Sequence, residues 1–86
     1  MSVYSDLSSE KRTLFHIVNS NVGCTAEMLK KRVKVQVNTI EKNICHLRKK
    51  GVNIQTTMIQ VALDTKIAMY WIDRKERATI CERFGI

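Results

Sequence analysis

Residues 33–54, VKVQVNTIEKNICHLRKKGVNI, obey two different periods. Across Val33-Lys34-Val35-Gln36-Val37 apolar and polar residues alternate, which is the period of a strand. From Val37 onward the apolar residues fall at 37, 40, 44 and 47, which is the period of a helix. One segment cannot satisfy both. A strand at 33–37 needs a partner close by, and nothing before it is strand-like. It would also cut the helix on its N-side to little more than one turn. A turn at Lys34-Val35-Gln36 leaves whole apolar faces on both flanking helices, with Val33 and Val35 plugging the angle between them. The sequence therefore predicts helix, turn, helix here.

The rest of the chain is ordered around that unit. Residues 1–7 are expected to form a short arm. Ser8 or Ser9 suits a helix cap, because a serine hydroxyl accepts a free first-turn N–H. Leu14, Ile17 and Val18 make the apolar stripe of the first helix, which Asn19-Ser20-Asn21 and Gly23 stop. Thr25 caps a short second helix from Ala26 to Arg32, with Leu29 and Val33 on one face. Two turns do not repay helix nucleation, so this helix must pack on something nearby. The third helix begins at Gln36 or Asn38 and runs to about Lys50. Ile40, Ile44 and Leu47 face the core, and Gly51 ends it at the position where a left-handed residue is common. Asn38, Lys42, Cys45 and Lys49 fall on the opposite face, flanked by Thr39 and His46.

Val52–Val61 and Ile67–Ile72 predict two strands, with Val52, Ile54, Tyr70 and Ile72 inward and a turn near 63–66. Asp73 caps a last short helix, Arg74 to Phe84. The fold class expected is α+β, mainly α. The domain spans 8–72, followed by a C-terminal helix or tail at 73–86.

This order resembles the winged helix-turn-helix family of DNA-binding domains, of the kind found in bacterial and bacteriophage transcriptional regulators. The resemblance is carried by AEMLKKRVKVQVNTIEKNICHLRKKGVNI, residues 26–54, and with the first helix and the hairpin covers roughly 8–72. Leu29, Val33, Val35, Ile40, Ile44, Leu47-Arg48 and Gly51 stand where the family carries its aliphatic positions and its Leu-Arg-x-x-Gly. The sequence departs from the pattern at Lys30, where a small residue is usual. It departs again at Lys34, where glycine is usual, and at Gln36, where serine or threonine is usual. A left-handed lysine is unfavourable, so the turn is expected to differ from the simple three-residue form.

The charge fits such a role. Fifteen Lys and Arg against eight Asp and Glu give +7, a balance that favours polyanions. Eight of the fifteen lie within residues 30–50, opposed there only by Glu41. A helix fits the DNA major groove, and Gln, Asn, Thr and Lys supply base-reading chemistry. Gln36, Asn38, Thr39, Lys42 and His46 are the candidate base-contacting residues, although Asn38 and Thr39 equally suit a helix cap. Lys30, Lys31, Lys34, Arg48, Lys49 and Lys50 suit phosphates. The resemblance adds Lys66, at the wing, for a backbone or minor-groove contact.

The expected partner is double-stranded DNA. Contact with RNA polymerase or another regulator is a further expectation, and residues 74–86 are expected either to form a homodimer on DNA or to fold back on the first helix and complete the core. The same basic surface also suits an acidic protein or RNA. Cys24, Cys45 and Cys81 lie at wide spacings, which builds no disulfide framework and fits a reducing cytosol. With His16 and His46 they lack the paired spacing of a zinc site, so no metal or other cofactor is expected. No glycine-rich phosphate loop, nucleophile motif or acid–base pair points to an enzyme. Neither a signal peptide nor an apolar run of membrane-spanning length is evident. The expected place is therefore the cytoplasm, with the nucleoid when bound.

Overall fold

A computed structural model describes residues 7–86. The helix period prevails at the segment of conflicting periods. α1 is Ser9–Val18, α2 is Ala26–Val33 and α3 is Val37–Lys49, with residues 34–36 as the turn between the last two. Val33 is buried and Val35 packs against the core, so the alternating valines fill a helix junction. Neither belongs to a strand.

Three strands form one antiparallel sheet in the order β1-β3-β2: β1 is Cys24–Thr25, β2 is Gln55–Ala62 and β3 is Thr65–Trp71. α4, Arg74–Phe84, closes the chain. The architecture is thus a small, mostly helical α+β fold. No helix among the described residues is long and apolar enough to cross a membrane.

β1 was not anticipated from the sequence. Cys24 pairs with Tyr70 and Thr25 with Met69. Gly23 (φ +103°) makes this approach possible, since a Cβ there would stand 2.8 Å from the Tyr70 carbonyl oxygen. The hairpin strands are also displaced from their expected limits. Val52 donates its backbone N–H to Leu47 O, and Gly51 donates to Arg48 O. These two bonds, with Gly51 at φ +93°, make a Schellman cap on α3. Val52 and Ile54 therefore serve the core from an irregular segment, and β2 starts at Gln55. The hairpin turns on Leu63-Asp64, with a bulge at Val61 between the Gln60–Lys66 and Ala62–Thr65 pairs.

The core joins all four helices to the sheet. Leu14 and Ile17 of α1, Leu29 of α2, and Ile40 and Leu47 of α3 have no exposed surface. Burying each such side chain stabilises the fold by about 1.5–3 kcal/mol. Ile80 of α4 belongs to the same cluster, and Cys81, Phe84 and Ile86 pack against it. The apolar residues of 74–86 were expected to seek burial, either on a second copy or by folding back on the first helix; here Ile80 is buried and Cys81, Phe84 and Ile86 are half-buried on their own chain. The arm expected at 1–7 lies outside the described residues except for Leu7, which is buried.

Candidate nucleic-acid interface

The geometry of α2 and α3 rests on Lys34. It adopts φ 62°, ψ 46° and donates its backbone N–H to Lys30 O, ending α2. It is the one non-glycine residue with positive φ among the described residues. The expectation that lysine would force another turn is corrected. The left-handed conformation costs about 1–2 kcal/mol, and burial of Val33 and packing of Val35 on either side hold it in place.

The start of α3 differs from the other helix starts. Ser8, Thr25 and Asp73 cap α1, α2 and α4 through side-chain oxygens, and each of those helices has a glutamate in its first turn. Gln36 makes no side-chain cap bond, and the first turn of α3 has no acid. Asn38 and Thr39, lying inside the helix, are not its caps. The first turn thus supplies no carboxylate of its own to the positive end of the helix dipole. Beside it runs an open groove of about 600 Å³ lined by Lys30, Lys31, Lys34, Val35, Gln36 and Thr39.

Along α3 the candidate residues divide into three directions. Asn38, Lys42, Cys45 and Lys49 lie exposed on the outer face. The side chains of Lys30, Lys31, Lys34, Gln36, Asn38, Lys42 and Lys49 have no hydrogen bond or ion pair among the described residues. His46 and Lys50 turn instead toward α1. His46 Nδ1 lies 3.4 Å from Glu10 Oε1, and Lys50 Nζ lies 2.5 Å from Glu10 Oε2. Arg48 turns toward the sheet: it donates to Ile54 O from Nε (3.1 Å) and Nη2 (2.9 Å), and to Thr56 Oγ1 at 2.7 Å. Its guanidinium carbon stands 5.9 Å from the centre of the Tyr70 ring. Arg48 thereby ties the end of α3 to the start of β2. Lys66 is exposed on β3 opposite Gln60, near the hairpin turn.

One internal residue escaped the sequence reasoning. Asn43 is buried on α3 and donates from Nδ2 to Thr13 Oγ1 (3.3 Å) and Ser9 Oγ (3.4 Å) of α1. Its position, three after Ile40 and four before Leu47, was the available signal. A polar residue on that stripe needs buried polar partners, and Thr13 supplies one.

Cys24 is buried, Cys81 half-buried and Cys45 exposed, all as free thiols. Among the described residues no group of three or more His, Cys, Asp and Glu could hold a metal ion. On α1, burial and then the Arg32 charge hold the His16 pKa below the ordinary histidine value. This favours the neutral ring.

Comparison of the chain with protein-family models and with curated proteins found no match to either.

Proposed function

We propose that this chain is a winged helix-turn-helix domain that binds double-stranded DNA sequence-specifically and regulates transcription. The observation that carries the reading is the outer face of α3. Asn38, Lys42 and Lys49 stand exposed there, and their side chains make no hydrogen bond or ion pair among the described residues. An α-helix matches the width of the major groove, and residues near its N-terminal end reach base edges. Gln36, Asn38, Thr39 and Lys42 occupy that end. Lys30, Lys31 and Lys34 flank it, where they meet phosphates and fix the register of the helix in the groove. Lys49 extends the phosphate contacts along the helix, and Lys66 brings the hairpin to the backbone or minor groove. His46, Lys50 and Arg48 are left out of this docking face, because their side chains are engaged with Glu10, Ile54, Thr56 and Tyr70. The expected site of action is the cytoplasm, on the nucleoid.

Selection of bound duplexes from a random DNA pool tests the reading. A recovered consensus several base pairs long supports it. A pool without enrichment, together with tight binding to an acidic protein or an RNA, replaces it.

A further inference from the structure

Charge is spread unevenly over this molecule. Between residues 55 and 71 only Asp64 and Lys66 are charged, in a chain with a net charge of +7. β2 itself, Gln55–Ala62, contains no charged residue and no proline. It is also an outer strand. One edge bonds to β3, and among the described residues the other edge pairs with no strand. A row of unpaired N–H and C=O groups invites another strand, and proteins commonly block such edges with charge, proline or a bulge. β2 has only the bulge, at Val61, which leaves residues 55–60 regular. Three of the four exposed large apolar residues among the described residues lie on this hairpin: Met58 and Val61 are each 56% exposed and Leu63 is 92% exposed, while the fourth, Val22, lies before β1.

We propose that β2 pairs antiparallel with β2 of a second copy, joining the two sheets across a two-fold axis. Symmetry favours a copy as the occupant. A two-fold perpendicular to the sheet makes an antiparallel pair from identical strands, so the edge is its own complement. Side chains alternate between faces, and directly opposed residues share a face. A symmetric register therefore sets one residue against its own copy, and Met58, near the middle of the regular stretch, is that residue. Charge favours the same occupant. Two chains of +7 repel, and they meet at less cost through a strand that has no charged residue of its own, where the one cation bonded to it is Arg48, held on Thr56 near its start. An acidic protein or a nucleic acid is drawn to the lysines of α2 and α3 and gains nothing from an uncharged strand. The pairing needs no DNA, and it stands or falls separately from the proposed function.

Sedimentation equilibrium of the full chain without nucleic acid, over a range of concentrations, is the test. The parent is expected to pass from one copy to two as concentration rises, and its amides at 55–60 to exchange hydrogen more slowly over the same range. Met58→Lys is expected to stay single while keeping its melting curve, because Met58 is exposed. Mixing Met58→Lys with Met58→Glu is expected to restore the pair, since opposite charges then face each other. A parent that stays single throughout overturns the proposal, as does a pair that Met58→Lys leaves intact. If Met58→Lys fails to fold, the exchange measurement on the parent decides: amides at 55–60 indifferent to concentration sink the idea.

Discussion

The outer face of α3 and the hairpin β2–β3 share one core but offer opposite things to a partner. α3 satisfies its backbone within the helix and presents side chains: amide and ammonium groups with no hydrogen bond or ion pair among the described residues. The hairpin carries little charge and presents backbone: a strand edge that pairs with no strand among the described residues, beside exposed apolar residues. Side chains discriminate among bases by chemical type. A strand edge discriminates weakly by side-chain type and strongly by shape, since any extended strand can complete it. A small chain thus has room for two kinds of recognition when they draw on different groups.

The largest effect asks whether the two regions are one folding unit. Leu47 has no exposed surface and sits in the core cluster that Ile54 and Ile72, flanking the hairpin, also join. Leu47→Ala should cost about 2–5 kcal/mol through lost burial and a cavity. Helix circular dichroism follows the helices, and fluorescence of the single tryptophan, Trp71 on β3, follows the hairpin. The two melting curves should fall together. A hairpin that melted apart from α3 would break the comparison at its base.

Next in size come the side chains of the outer face. Asn38→Ala and Lys42→Ala should each lose about 1–3 kcal/mol of binding to the selected duplex, with melting unchanged. Fluorescence polarisation on that duplex measures the loss. Parental affinity in both variants would mean that α3 docks by some other face.

The smallest effect separates two neighbours in the sequence. Lys49→Ala should reduce the slope of log K against log salt by about 0.9, one phosphate's share. Arg48→Ala should leave that slope alone and lower stability by about 1 kcal/mol, because its bonds go to Ile54 and Thr56. A fall in slope at Arg48 would return it to the DNA-facing set.

The helix-turn-helix unit was legible because its apolar periods admit only one arrangement that buries both faces. The caps at Thr25 and Asp73 were legible, and the first cap was narrowed to Ser8 or Ser9, because a short oxygen-bearing side chain before an apolar stripe has one local use. β1 was not, since two residues carry no period, and Gly23 looked like a helix stop more than a close approach of strands. The limits of the hairpin strands were misjudged because Val52 and Ile54 alternate as a strand would, while the end of α3 takes the Val52 N–H. Within the candidate site, residue type identified the basic surface. It could not separate Lys49 from Lys50, or Arg48 from either, because that depends on Glu10 and Ile54, residues distant in the chain or committed through their backbone.

Cys45 gives the outer face of α3 a reporter of its own. It is exposed, whereas Cys24 is buried and Cys81 half-buried, so a bulky thiol reagent meets Cys45 first. A probe attached there lies between Lys42 and Lys49 without a change of sequence. The rate at which the thiol reacts becomes a measure of whether that face is open or covered, whatever covers it.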